Sequence, residues 1–238
     1  VTPALYYLVP SLKDSLQIED PALPKDLFDP TLWQSSIIET LAEFIRLHGQ
    51  KAMNQSERRA MARELFAAML GAGKNHRQRL DQLNLNHAGL NSDHWLCIVG
   101  VNSDTRVRLR VIKSAPSPEF AFNPADIANQ WDSADAAEKR LTGDGTVPFD
   151  GAIPKFLPYE SLVCIRPQDF SFLEVADRLA LSAAGFHGIL PNMNMLHRLI
   201  VRFFTGAADT RNTTWGRPPP GVAPENWAPP LPLQQSRD

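Results

Sequence analysis

The chain has 238 residues, enough for one large domain or two small ones, each able to bury a core. Its 43% hydrophobic and 21% charged residues are ordinary for a folded protein and set disorder aside. A net charge of -2, from 24 Lys and Arg against 26 Asp and Glu, excludes the global basic field that draws in nucleic acid or anionic membrane.

In chain order, "PALYYLVPSL" is an apolar patch, and "EDPALPKDLFDP" is a connection punctuated by Pro and Asp, so residues 1–30 read as irregular chain with a few buried anchors. Leu32, Trp33, Ile37, Ile38, Leu41, Phe44 and Ile45 recur at helical spacing and predict an amphipathic helix ending near His48-Gly49. A second helix is expected after Ser56 as N-cap, with Met61, Leu65, Ala68 and Met69 on one face and a stop at Gly71 or Gly73. Residues 31–90 form a helical segment on this reading. "HWLCIVGVN" is a short apolar run, as in a strand buried on both faces; "RVRLRVIK" alternates like a half-exposed strand, and the short "SDT" between them suits a hairpin. Strand character returns in "SLVCIRP", and "GILPNMNMLHRLIVRFFTG" predicts a helix with Pro191 in its first turn and Gly206 past its end. Residues 91–206 are the expected α/β core, and 207–238 a Pro-rich extended tail for which Trp215 and Trp227 offer anchors. Cys97 and Cys164 sit in apolar runs without metal spacing and read as buried thiols, and the compartment stays open. No apolar run reaches the roughly 18 residues of a membrane span, and no signal segment opens the chain.

Chemistry concentrates in "LTGDGTVPFDGAIP", where Asp144 stands between two glycines, and in "GFHGIL", which carries His187. Acid before histidine, with the histidine between the last strand and the last helix, is the order of a Ser-acid-His hydrolase triad. In such a site an ionised carboxylate fixes the imidazole tautomer and stabilises the imidazolium formed on proton transfer. Gly-Asp-Gly is equally an ordinary turn signal, and His187 fits a hydrogen-bonded loop histidine, so at the level of pattern both readings stand.

"GDGTVP", followed by a strand and "HGILPNMNMLHRLI", resembles the C-terminal half of lipases and acyltransferases related to lecithin:cholesterol acyltransferase and phospholipid:diacylglycerol acyltransferase. "ALYYLVPSL" and "CIVGVNSDTRVRLRV" are similar to that family's segments after the nucleophile and before the acid. The resemblance implies the C-terminal half of an α/β-hydrolase sheet, with residues 31–90 as a cap or lid. It also implies Asp144 as catalytic acid, His187 as base, a lipid or other hydrophobic ester as substrate, and neither metal nor organic cofactor. The sequence departs from the family in one respect: no Gly-x-Ser-x-Gly occurs, and Ser11, Ser56, Ser103 and Ser182 all lack flanking glycines. The expectation is therefore a piece of a longer enzyme, whose partner is the upstream half of the same domain and which is inactive alone. The alternative is a non-catalytic interaction protein with a degenerate hydrolase fold.

Other signals carry less. "GAGK" at Gly71–Lys74 follows a helix and reads as a helix end, not a phosphate loop. His87, Asp93 and His94 read as loop polar groups, and "KNHRQR" as a solvated basic helix face, with lipid headgroups a secondary use. Asn54 and Asn212 head glycosylation patterns that matter only in a secreted protein.

Overall fold

The amphipathic stretches of the sequence become helices, and the apolar runs become short strands in several small sheets. In the computed structural model, residues 3–10, 15–49, 53–114, 117–171, 174 and 185–235 are described. The strands are β1 (Leu16–Ile18), β2 (Ile98–Gly100), β3 (Thr105–Arg106), β4 (Leu109–Ser114), β5 (Ser117–Ala121), β6 (Ile127–Ala128), β7 (Val163–Ile165), β8 (Trp215–Gly216) and β9 (Gln234–Gln235). The helices are α1 (Ser36–His48), α2 (Gln55–Asp81), α3 (Phe149–Ala152) and α4 (Asn194–Thr205), with a further helical turn at 185–189. Helices beside small parallel and mixed sheets make the chain α/β in class. It divides into two compact units, Val1–Gln82 with Arg108–Asp126, and Leu83–Val107 with Ile127–Asp238.

The first unit is built on α1 and α2. Asn54 caps α2 reciprocally with Glu57: its side chain accepts from Glu57 N–H at 3.0 Å, and Glu57 Oε2 accepts from Asn54 N–H at 2.8 Å. The apolar stripes meet in a core of Leu41, Ile45, Ala62, Phe66, Met69 and Leu70, against which Val111 of β4 packs. Trp33 sets its ring edge to face on Phe66 and Phe120, with centroids at 5.7 and 4.9 Å, and donates its indole N–H to Leu27 O at 2.8 Å. β4 is central in its sheet, parallel to β1 and antiparallel to β5.

Several expectations are corrected here. α2 begins at Gln55 behind Asn54, not after Ser56, and runs through Gly71 and Gly73 to Asp81, so "GAGK" lies inside a helix. Gly73 is tolerated because the carbonyl of Tyr6, in the 3-10 segment Pro3–Leu8, rests where a β-carbon would stand. The expected hairpin does not form. β2 pairs with β7, whereas β4 pairs with β1 and β5, because Leu109 and Val111 are drawn to the α1/α2 core. Residues 1–30 contain that 3-10 segment and β1, and the stretch before Asp144 contains β5 and β6. Ser11 and Ser182 lie outside the described residues.

In the second unit β2 and β7 run parallel, with Ile98 opposite Val163, Val99 opposite Cys164 and Gly100 opposite Ile165. β7 is fully buried, as its apolar sequence requires. α4 starts at Asn194, with Pro191 in a preceding 3-10 turn, and ends on Gly206 at φ +66, whose N–H bonds Arg202 O at 2.8 Å.

Residues 207–235 do not form a free tail. Arg217 exchanges backbone hydrogen bonds with Cys164 at 2.9 and 3.1 Å, and its guanidinium binds the buried Asp169 carboxylate at 2.6 and 3.0 Å. Trp227 donates to Leu162 O at 2.8 Å, and Tyr159 hydroxyl to Pro220 O at 3.0 Å. Trp215 and Trp227 pack on the apolar cluster around Met193, Leu199 and Ile165. Each proline removes a donor that a sheet would need, so the segment is fastened by a few backbone bonds together with side chains.

Candidate active site

Asp144 sits on a loop closed by its own backbone. Phe149 N–H bonds Thr142 O at 2.8 Å, Asp144 N–H bonds Val147 O at 3.3 Å, and Gly145 takes φ +96, a conformation that favours glycine. Carboxylate Oδ1 accepts from Thr146 N–H at 2.9 Å and Val147 N–H at 2.7 Å, which fixes its orientation. The other oxygen, Oδ2, lies 2.8 Å from His187 Nδ1. The carboxylate therefore has one oxygen for the loop and one for the imidazole.

Polar groups beneath the loop hold it from below. Thr142 Oγ1 accepts from Asn102 N–H at 3.0 Å and donates to Asn129 Oδ1 at 2.9 Å, and Asn129 returns to Asn102 Oδ1 at 3.2 Å. Thr105 Oγ1 accepts from Gly145 N–H at 2.9 Å and donates to Ser103 O at 2.9 Å. Thr105 and Thr142 are fully buried, so these bonds stand in for water that cannot enter. Asn102 reaches its place in a left-handed conformation, φ 63, that asparagine tolerates.

Gly100 ends β2 directly under the pair. A β-carbon there would lie 2.7 Å from Asp144 Cβ, 3.1 Å from Phe186 and 3.2 Å from Leu190. Phe186 and Ile189, on either side of His187, are buried and pin the turn that carries the histidine. The acid thus rests on the carboxyl end of a parallel strand, where open α/β sheets place their ligands. Gly100, Asn102, Thr105, Thr142 and Asn129 were not legible as site residues. Their signal is a strand ending in Gly-x-Asn, which marks a turn without saying what the turn carries.

The burial of the two partners differs. The Asp144 side chain is 12% exposed and the His187 side chain 49% exposed. With the carboxylate ionised, Nδ1 carries the proton and donates it to Oδ2, which leaves the Nε2 lone pair as base. No described residue bonds Nε2. Chemically the arrangement can accept a proton from a hydroxyl brought to Nε2 and stabilise the imidazolium that results.

Both thiols belong to one apolar cluster with Val99, Val101 and Phe149. Burial pushes Cys97 up to about 11 and Cys164 higher still, so both stay protonated near neutral pH. They are free thiols, Cys97 just before β2 and Cys164 in its neighbour β7. Tyr159 is likewise pushed up by burial, to about 12, against the opposing pull of Arg140, and remains a neutral hydrogen-bond donor. Among the described residues no three His, Cys, Asp or Glu side chains gather as a metal site. His94 Nδ1 accepts from Asn91 N–H at 3.1 Å, a turn cap instead of a metal contact. No helix among the described residues is long and apolar enough to cross a membrane.

Comparison of the chain with protein-family models, with curated proteins and with solved structures returns no match.

Proposed function

We propose that this chain is the C-terminal part of a serine lipase, esterase or acyltransferase acting on hydrophobic esters. Asp144 orients His187, and His187 takes the proton of a serine supplied by the upstream half of an α/β-hydrolase domain. The observation that carries this reading is the 2.8 Å contact between Asp144 Oδ2 and His187 Nδ1, on a histidine whose side chain is half exposed. The support is geometric: two residues 43 apart in sequence meet at the end of a parallel strand, one oriented by backbone amides and the other with no described residue bonded to Nε2. In this reading His187 first deprotonates the serine as it attacks the ester carbonyl, then returns the proton to the departing alkoxide. Water or an alcohol next enters, loses its proton to His187 and releases the acyl group. In this reading residues 31–90 are the helical cap or lid of the hydrolase domain.

The rival reading, a non-catalytic interaction module, is favoured by one observation, the lack of any Gly-x-Ser-x-Gly in the sequence. A fluorophosphonate probe separates the two. Applied to the chain alone, it should label nothing. Applied to the chain translated in frame with its upstream coding sequence, it should label a serine, and Asp144→Asn or His187→Ala should lower turnover of a hydrophobic ester by about 10⁴-fold. An extended protein that takes no label, or whose turnover ignores both substitutions, overturns the proposal.

A further inference from the structure

α4 has two apolar faces, and only one is covered. Met195, Leu196 and Leu199 are buried in the second unit's core. On the other side Ile200, Val201 and Phe204 are 40%, 57% and 80% exposed. Together with His197 they follow the i, i+3, i+4, i+7 spacing of one helix face. The Phe204 ring meets that of its neighbour Phe203 at 5.4 Å between centroids and is otherwise left open to solvent.

The surroundings of this stripe carry positive charge. Beside it runs a groove of about 310 Å³ between α4 and the following loop, lined by His197, Arg198, Val201, Arg202, Asp209 and Arg211 among others. Its one acid is already engaged: Asp209 accepts from Thr213 and Thr214 N–H at 3.0 and 2.7 Å and from the Thr214 hydroxyl at 2.6 Å, and lies 3.9 Å from Arg202. Arg202 also bonds Thr214 Oγ1 and the carbonyls of Ala207 and Pro232, so it is consumed by structure. Arg198 spends Nε on Thr213 O, whereas the Arg211 guanidinium has no partner among the described residues. α4 itself contains no Asp or Glu. The chain's overall charge of -2 does not oppose this, because fields at a surface fade within about 10 Å.

We infer that the outer face of α4, Ile200, Val201 and Phe204 with Arg198 and Arg211, docks on an anionic lipid surface. The apolar stripe enters the acyl boundary, and the guanidinium groups meet headgroup phosphates. Size favours lipid over a protein partner: three side chains on two helical turns offer a few hundred Å², against the ~800 Å² per side of a stable protein interface. The inference goes beyond the proposed function and stands without it, since α4 and not the dyad makes the contact.

The test is sedimentation of the purified chain with phosphatidylcholine vesicles, with and without roughly one-third phosphatidylserine. Binding is expected only with the anionic lipid and should weaken in high salt. Phe204→Ser should weaken it about tenfold and Arg211→Ala about fivefold, both residues being exposed so that circular dichroism stays unchanged. Equal binding to neutral vesicles, or variants that bind like the parent, overturns the inference. So does a Phe204→Ser variant whose only change is lost self-association, which would make the face a protein contact. Vesicle binding by the chain, when the protein extended by its upstream coding sequence takes no fluorophosphonate label, upholds this inference while the functional reading falls; labelling of the extended protein without vesicle binding by the chain overturns this inference alone.

Discussion

The first unit buries Phe66, Leu70, Leu41 and Leu32 and closes on itself by helix periodicity; its Arg59–Glu39 pair lies at the surface, while Asp126, paired with Arg110 at 3.2 Å, is buried. The second unit buries Thr105, Thr142, Asp144, Asp169, Glu174, Thr214 and Arg217 among short strands and turns. Apolar packing tolerates small shifts in side-chain position, whereas a buried hydrogen bond fails at a fraction of an ångström. The unit that must hold a carboxylate 2.8 Å from an imidazole is therefore the one assembled from buried polar contacts. Glu174 shows the same device on a smaller scale, accepting from Ser171 N–H at 2.5 Å and from Asn194 N–H at 2.7 Å at the start of α4.

That contrast is broken most directly at Arg217. Arg217→Ala leaves Asp169 buried with, among the described residues, the Arg166 N–H and the Trp215 indole, and should destabilise the protein by about 3–5 kcal/mol in urea unfolding. The matching surface change, Arg59→Ala, should cost less than about 1 kcal/mol, and comparable losses from the two would dissolve the distinction. Phe66→Ala should cost about 3–5 kcal/mol, almost wholly from lost apolar contact, with no dependence on pH between neutrality and mild acid.

Gly100→Ala is a smaller and more pointed change. Overpacking under Asp144 and Phe186 should cost about 1–3 kcal/mol, and the His187 Nδ1–H resonance should move or vanish by NMR while the helix signals of the first unit stay. An unchanged resonance would mean that the site has more slack than its geometry implies.

The smallest effect sharpens the comparison through pH. Burial raises the Asp209 carboxyl, but hydrogen bonds from Thr213, Thr214 and Arg211 outweigh it and hold the group well below the usual carboxylate range. A folded-state value below the unfolded one contributes stability in full above the unfolded value of about 3.9, and loses it as pH falls from there toward the folded value. Asp209→Asn should therefore be about 1 kcal/mol less stable than the parent at neutral pH, with the gap closing below about pH 4 in thermal denaturation. A gap that persists in acid would assign the effect to packing.

Local causes account for α1, most of α2, α4 with its Gly206 stop, the strands β2 and β7, and the candidacy of Asp144 and His187 from their order and flanking glycines. Periodicity and capping act within a few residues, so a linear reading reaches them. Tertiary structure decided which strands pair, sending β4 to β1 and β5 and away from β2, because that choice depends on where a distant core offers burial. It also decided that the Pro-rich stretch is tied in, since the bond from Arg217 to Asp169 spans 48 residues and neither residue announces the other. The 2.8 Å meeting of Asp144 and His187 belongs to the same class: the residue types permit it, and only the packing of the helical turn at 185–189 over Gly100 brings it about.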